Sequence, residues 1–165
     1  MAAAKMVLVG AGSIVFGLRL VSDLCATEGV RNSELVLVDI DTDRLELVST
    51  LARRLIAETG AALRLTSCTD FRDALPGADY VISTVAQGGW DAWLKDVEIP
   101  REFGYYYAVG DTMGPGGMAR AFRTIPIVLD IAKHMEKVCP NALLINYSNP
   151  MTAICRAVQK YTSID

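Results

Sequence analysis

The sequence predicts an α/β fold in which a doubly wound parallel sheet is flanked by helices on both faces. Short apolar runs bounded by turn residues alternate with longer segments whose apolar residues recur at helical spacing. This alternation is typical of strand–helix–strand units joined by right-handed crossovers. The 165 residues are 52% hydrophobic, with a mean hydropathy of +0.29, which suits one compact domain with a well-filled core.

Five strands and five helices are predicted along the chain. Strands are predicted at residues 5–10, 33–41, 63–68, 79–86 and 142–150, and the continuous apolar run of the first indicates a strand that is covered on both faces, with the second also buried. Apolar residues at helical spacing indicate helices at residues 13–27, 42–59, 70–77, 125–138 and 151–161. Thr42 or Asp43 is expected to cap the second helix, and Gly60 to lie beyond its end. The glycine- and aromatic-rich residues 87–107 and the segment 110–124 are interpreted as connections.

Composition argues against several classes of function. The net charge is −3 and no segment is polybasic, so the sequence predicts no positively charged surface that would bind nucleic acid or an anionic membrane. No apolar run approaches the length of a membrane span. Four cysteines (Cys25, Cys68, Cys139 and Cys155) show no paired spacing, and the chain has one histidine. Reduced thiols in a cytoplasm are therefore expected, rather than disulfides or a zinc site.

The turn after the first strand has features of a dinucleotide-binding loop. In VLVGAGS, Gly10 permits a tight turn, and Gly12 lets the backbone approach a pyrophosphate. Ser13 adds a hydroxyl beside the amides that open the next helix, which can bind an anion. Val15 replaces the third glycine of the usual GxGxxG pattern, so the motif is incomplete. The alternative is an ordinary glycine turn.

Polar residues follow the other strands at the same predicted edge of the sheet. Asp39 is placed to accept hydrogen bonds from both ribose hydroxyls and to repel a 2′-phosphate, which favours NAD over NADP. Asp41 lies nearby and is expected to cap the following helix. Thr84 either flanks the cofactor or simply ends the fourth strand. Asn149 either binds a sugar hydroxyl through its amide or forms an Asx turn before Pro150, with a cis peptide bond there.

Four segments, in order, resemble the amino-terminal half of one family: VGAGS, ELVLVDID, DTMGPGGMARAFRTIP and NYSNPM. The family is that of the NAD- and divalent-metal-dependent glycoside hydrolases, glycoside hydrolase family 4. The resemblance covers essentially all of residues 1–165. It implies a Rossmann-like, NAD-binding domain that forms the amino-terminal part of a longer enzyme.

The resemblance also implies a reaction with no net redox change. NAD⁺ takes hydride from C3 of the sugar, a base removes the C2 proton, and the aglycone leaves by elimination. Water then adds at C1, and the hydride returns. The metal, usually Mn²⁺ in the family, stabilises charge on the C2 and C3 oxygens. Its ligands and the base are expected beyond residue 165, so no metal ligand is assigned here and residues 1–165 alone are expected to be inactive.

Further site residues are implied by the same resemblance. Asp111 matches an acidic position near the reaction centre, the alternative being an N-cap for the next helix. Asn149 matches an asparagine that contacts substrate. The spacing of the sequence adds Arg120 and Arg123, which lie three residues apart on one helix face, so that both side chains can bind the same hydroxylated or anionic group. The alternative is that both arginines are solvated surface charges. Trp93 replaces an arginine of the phospho-glycosidase branch and suits stacking on an unphosphorylated sugar; alternatively it belongs to a helix packing face.

The GPGG segment at residues 114–117 contains three glycines, which let its backbone lie close to another group. Glycine loses more conformational freedom on folding than any other residue, so a cluster of glycines indicates a close approach. The resemblance implies that this segment lies against the sugar and the metal.

Three functional hypotheses follow. The first is a cytoplasmic glycosidase that uses NAD and Mn²⁺ on a small unphosphorylated α-glycoside, a galactoside or a uronide, and is a dimer or tetramer when full length. The second is an NAD-dependent 2-hydroxy acid dehydrogenase of malate or lactate type, which shares the fold and the SNP element. The segment GDTMGPGGMARAFR does not resemble the mobile loop of those dehydrogenases. The third is a dinucleotide-binding module without catalytic activity.

Overall fold

The computed structural model describes residues 3–13 and 16–165. Its strands are β1 (Lys5–Val9), β2 (Glu34–Val38), β3 (Arg64–Cys68), β4 (Tyr80–Ser83) and β5 (Leu143–Asn146). Its helices are α1 (Gly17–Ala26), α2 (Thr42–Thr59), α3 (Phe71–Ala74), α4 (Gly89–Glu102), α5 (Gly114–Val138) and α6 (Met151–Tyr161). The predicted alternation of strands and helices is confirmed.

All strands pair in parallel, in the order β3-β2-β1-β4-β5. Central β1 places Val9 beside Val38 of β2 and beside Ser83 of β4. The chain winds outward from β1 to β3, returns across the sheet to β4 and continues to β5. This reversal between β1 and β4 is the switch point of a doubly wound sheet, so the predicted fold class is confirmed.

Alternate residues of the strands supply two separate cores. Met6 and Leu8 of β1 belong to a cluster that also contains Val21 of α1 and Val48 of α2. Val7 and Val9 face the opposite side, in a cluster completed by residues of α3, α5 and α6, including Ala74, Val128, Ile131 and Ile154. Because both faces of the sheet are covered there, the central strands β1 and β2 are apolar without alternation, which is the pattern that predicted them.

Helix boundaries differ from the prediction at several points. The first helix begins at Gly17 rather than residue 13, and residues 14 and 15 lie outside the described chain. The segment 87–107, interpreted as a connection, contains α4. Of the caps expected for α2, Asp41 is confirmed, because its carboxylate accepts from the backbone N–H of Arg44 at 3.1 Å, whereas Thr42 and Asp43 lie inside the helix.

The largest difference concerns α5, which begins at Gly114 instead of residue 125. Pro115 occupies the first turn, where a missing N–H is tolerated, while Pro126 lies within the helix. The prediction was wrong because three glycines in four residues indicate irregular backbone when read without their neighbours. Helices of the described chain include none that is long and apolar enough to cross a membrane.

Candidate functional site

The turn after β1 requires glycine at position 10. Gly10 has a φ of +88°, a region that other residues rarely adopt. A Cβ there would lie 2.8 Å from the carbonyl carbon of Thr84, so a side chain is excluded by space as well. The Thr84 side chain is buried, and its hydroxyl donates to the Gly10 carbonyl oxygen at 2.8 Å. Thr84 therefore supports the glycine turn, and its assignment as a cofactor contact stays a prediction.

The structure brings Gly12 and Asp39 into direct contact. The backbone N–H of Gly12 donates to Asp39 Oδ2 at 2.8 Å, and the N–H of Asp41 donates to Asp39 Oδ1 at 3.0 Å. A Cβ on Gly12 would lie 2.9 Å from the same carboxylate oxygen. The absence of a side chain at Gly12 thus lets the acid of β2 reach the turn of β1. Asp39 remains partly exposed, so its lone pairs are accessible from solvent.

Ser13 closes the turn on the other side. Its backbone N–H donates to the Gly10 carbonyl oxygen at 3.1 Å, and its hydroxyl oxygen accepts from the N–H of Phe16 at 3.3 Å. These bonds tie Ser13 to Gly10 on one side and to the residue before α1 on the other. Gly10, Gly12, Ser13 and Asp39, which the sequence predicted to act together, are thus adjacent at the carboxyl end of β1 and β2.

A second polar group lies beyond β4 and β5. The Asp111 Oδ2 atom accepts a hydrogen bond from Asn149 Nδ2 at 3.1 Å and lies 3.6 Å from Arg120 Nη1. The Asp111 and Arg120 side chains are each 18% exposed. Thr112 adds a hydroxyl that donates to Asp111 Oδ1 at 3.1 Å. We call Asp111, Arg120 and Asn149 the acid cluster.

Two alternatives for these residues are settled. Asp111 is not the N-cap of α5, because Met113 holds that position without a side-chain hydrogen bond. The Asx turn before Pro150 belongs to Asn146, whose Oδ1 accepts from the N–H of Ser148 at 3.1 Å. Asn149 is left to bind Asp111, and the predicted cis peptide bond between Asn149 and Pro150 is present.

Arg120 and Arg123 do not act as a pair. Arg123 donates through Nη1 and Nη2 to both carboxylate oxygens of Asp96, at 2.9 and 2.5 Å. Asp96, on α4, is 3% exposed. Its hydrogen bonds raise the pKa of Arg123, against the opposing effect of burial. Arg123 as a substrate ligand stays a prediction, with two of its guanidinium nitrogens already bound to protein.

The GPGG glycines approach the chain itself. A Cβ on Gly116 would collide with the carbonyl oxygen of Asp96 and lie 2.7 Å from that of Gly110. A Cβ on Gly117 would lie 2.6 Å from the carbonyl carbon of Thr112. Both glycines are buried. The expectation that this segment lies against sugar and metal is corrected for these two positions, where the close neighbours are α4 and residues 110–112.

Trp93 lies on α4 beside Trp90, with ring centroids 4.5 Å apart. Trp90 is 70% exposed, whereas Trp93 is partly buried. The pair forms an aromatic surface on α4, the helix that also carries Asp96. Its use for stacking on a sugar stays a prediction.

Sequence reasoning missed Asp96 altogether. The only available signal was an acid placed between aromatic and apolar residues of a segment that was not recognised as helical. It also missed the separation of the two arginines, because the spacing of three residues gives their shared helix face but not their partners.

Comparison with known proteins identifies the chain's relatives. The family model described as "Family 4 glycosyl hydrolase" matches residues 5–165. The α-galactosidase of Bacillus subtilis (strain 168) is 37% identical over 161 residues, covering 97% of this chain and 37% of the relative. The α-galacturonidase of Thermoanaerobacter italicus is 38% identical, covering 92% of this chain and 32% of the relative. The chain thus spans about a third of the length of these relatives.

Solved structures agree with the family match. The 6-phospho-β-glucosidase from Thermotoga maritima, solved with manganese, NAD⁺ and glucose-6-phosphate, superimposes with a TM-score of 0.85 at 29% identity, covering 94% of this chain and 37% of that one. A lactate dehydrogenase from Cryptosporidium parvum gives a TM-score of 0.66 at 20% identity, covering 100% of this chain and 43% of that one. At that identity the dehydrogenase shows a shared fold alone, so the dehydrogenase hypothesis is the weaker one.

Proposed function

Because the chain belongs to family 4 of the glycosyl hydrolases, we propose that residues 1–165 form the NAD-binding domain of a glycosidase. The observation that carries the proposal is the contact between Gly12 and Asp39, which joins a glycine turn to a partly exposed acid at the carboxyl end of neighbouring strands. In a doubly wound sheet this is the edge where dinucleotides bind. The Thermotoga maritima relative was solved with NAD⁺, which supports the same cofactor here.

The residues of the first turn fit NAD. Gly10 and Gly12 keep the turn free of side chains, so the turn backbone would let a pyrophosphate come close. Asp39 would hold the adenosine ribose through its carboxylate, whose charge disfavours a 2′-phosphate. When bound, NAD⁺ supplies the hydride acceptor for oxidation at a sugar carbon. Each protein group named here binds or orients the cofactor and takes no part in the hydride step.

The acid cluster is the proposed sugar-facing part of the site. Asn149, which follows β5, and Arg120 of α5 contact the Asp111 carboxylate, and this cluster would lie beside the nicotinamide. Arg120 presents further N–H donors that suit hydroxyl or carboxylate oxygens. Together with Trp93 in place of a basic residue, this supports an unphosphorylated α-galactoside or α-uronide as the substrate. Relatives named α-galactosidase and α-galacturonidase support the same class.

The described residues do not by themselves fit a metal. Residues 3–13 and 16–165 contain no group of three or more histidine, cysteine, aspartate or glutamate side chains that could hold an ion. None of the described residues is therefore assigned as a ligand of Mn²⁺. The use of manganese by the whole enzyme is proposed from the solved relative that contains it.

Two further properties belong to the proposal. A cytoplasmic location is supported by the four cysteines, all of which are free. Self-association as a dimer or tetramer is supported by large apolar side chains left exposed: Phe103 at 74%, Tyr106 at 80% and Phe122 at 71%. Light scattering on the purified protein measures the oligomeric state directly.

An assay of the protein that contains these residues tests the function. With NAD⁺ and Mn²⁺ it is expected to release p-nitrophenol from a p-nitrophenyl α-galactoside or α-galacturonide, and to stop when NAD⁺ is left out. The matching 6-phosphoglycoside is the control substrate and is expected to react far more slowly. Net formation of NADH with malate or lactate, without glycoside cleavage, would establish the dehydrogenase instead.

A further inference from the structure

We propose that Asp96 is a positioning residue for Asp111: its ion pair with Arg123 locks α4 against α5 and thereby fixes the segment that presents the Asp111 carboxylate. Asp96 itself contacts neither Asp111 nor any other member of the acid cluster in the described chain. Asp96 acts through the backbone of residues 110–112, which packs against α5. The relevance of this placement to turnover rests on the proposed function, whereas the placement can be tested without turnover.

The first support is the burial and geometry of the pair. Asp96 is 3% exposed, and both of its carboxylate oxygens accept from Arg123. A two-point contact between planar groups fixes their relative orientation as well as their distance. The Nε of Arg123 is buried and has no hydrogen-bond partner among the described residues. Such an arrangement is poorly suited to maximal stability, but it defines how α5 sits on α4.

The second support is the packing on both sides of Asp111. Its neighbours are Gly110 and Thr112, and each contacts one glycine of α5: the Gly110 carbonyl meets Gly116, and the Thr112 backbone meets Gly117. Gly116 also meets the carbonyl of Asp96 itself. A shift of α5 relative to α4 would therefore move the backbone on either side of Asp111. At contact distances this short, little displacement is possible without a collision.

The third support is that the two arginines of α5 pair with different acids. Arg120 and Arg123 lie one turn apart, and Asp96 and Asp111 are the two acids they meet. Because Arg123 binds both oxygens of Asp96, Arg120 is left as the cation beside Asp111. Loss of the Asp96 charge would free Arg123 and remove the constraint that keeps Arg120 and Asp111 together.

The side-chain amide of Asn149 is a direct reporter of the Asp111 position, because its Nδ2 donates to Asp111 Oδ2. The experiment records ¹H–¹⁵N NMR spectra of the ¹⁵N-labelled 165-residue protein. The side-chain NH₂ resonance of Asn149 is assigned as the one that is missing from the spectrum of the Asn149→Asp variant. The Asp111→Ala variant gives the resonance of the broken contact. In Asp96→Asn, the Asn149 resonance is expected to move most of the way to that value.

Asp130→Asn is the matched control. Asp130 also lies on α5 and also pairs with an arginine of another helix, Arg72, at 2.6 Å, but both side chains are about half exposed. The Asn149 resonance is expected to stay at its wild-type position in this variant. An equal movement in both variants would overturn the proposal, since it would show a general response to a lost ion pair.

A double variant, Asp96→Leu with Arg123→Met, separates positioning from stability and covers the case in which Asp96→Asn fails to fold. Replacing both charges by apolar groups is expected to restore the melting temperature lost in the single variant. The Asn149 resonance is expected to remain displaced, because the oriented two-point contact is still missing. A wild-type resonance in the stable double variant would refute the positioning role.

In the complete enzyme, the double variant is expected to lose about 100-fold in kcat with an unchanged Kd for NAD, since a small misplacement of a reacting group has effects of this size. Absence of glycosidase activity in the wild-type enzyme would refute the proposed function and leave the NMR result to decide the positioning role. A displaced Asn149 resonance combined with full kcat would show that Asp96 places Asp111 but that the placement has no catalytic consequence, which contradicts the inference.

Discussion

Gly10→Ala is the substitution whose consequence follows most directly from the structure. The new methyl would force a residue other than glycine to hold a φ of +88°, and it would lie 2.8 Å from the carbonyl carbon and 2.9 Å from the carbonyl oxygen of Thr84. Both obstacles are backbone atoms of the neighbouring strand end. No side-chain rotation relieves them, so β1 and β4 would have to separate at their carboxyl ends.

The expected loss of stability combines two effects. A left-handed backbone costs an L-residue about 1–2 kcal/mol, and an overpacked methyl costs about 1–3 kcal/mol. Their sum of about 3 kcal/mol corresponds to a fall in melting temperature of roughly 6–12 °C for a chain of this size. Urea unfolding followed by circular dichroism measures the free energy, and calorimetry measures the temperature. NAD affinity is expected to fall in the same variant, because the first turn is displaced.

Gly77→Ala isolates the contribution of the contact. Gly77 has a φ of +74°, but a Cβ there would meet nothing within 4 Å. This variant is expected to lose only the backbone part, about 1–2 kcal/mol. If Gly10→Ala is no more destabilising than Gly77→Ala, the close approach of Gly10 to Thr84 is wrong, and with it the explanation of why glycine is needed there.

Three other predictions concern single side chains. Asp39→Asn removes a charged acceptor and is expected to weaken NAD binding by about tenfold or more in calorimetric titration; an unchanged Kd would mean that the acid is misassigned. Asp111→Ala in the complete enzyme is expected to lower kcat with little change in NAD affinity, and full turnover would reduce Asp111 to a structural residue. Hydrogen bonds from the backbone N–H and hydroxyl of Ser163 lower the pKa of Glu136 from its ordinary value of 4.5. The resulting stabilisation is present above pH 4.5 and disappears as the pH falls through the lowered pKa, so the free energy of unfolding of Glu136→Gln should depend less on pH in that acid range, and an identical pH dependence would exclude the contact.

The fold could be predicted because its signal is local and redundant. The central strands β1 and β2 are apolar on both faces, as the separate burial of Val7 and Leu8 on opposite sides of the sheet requires. The contact between the glycine turn and Asp39 was predictable for a similar reason: the glycines and the acid each follow a recognisable strand, and the parallel sheet brings those strand ends together.

The second half of the site was less predictable because its decisive contacts join residues distant in sequence. A glycine needed for close approach looks the same in sequence whether its neighbour is a ligand or the chain itself, and at Gly116 and Gly117 the neighbour is the chain. Helix spacing places Arg120 and Arg123 on one face but contains nothing about Asp96, which lies 27 residues from Arg123. The packing of α4 and of residues 110–112 against α5 determines that Arg123 pairs with Asp96 and Arg120 with Asp111.

The position of the two polar groups also constrains the size of the ligand. Asp39 follows β2, whereas Asn149 follows β5, and the order β2-β1-β4-β5 puts three strand spacings between them. At about 4.8 Å per spacing, this is roughly 14 Å along the carboxyl edge of the sheet. A mononucleotide held by Asp39 would leave the acid cluster unused, whereas a dinucleotide crossing the Gly10–Thr84 contact could reach both ends. This distance supports the proposed dinucleotide cofactor over a mononucleotide.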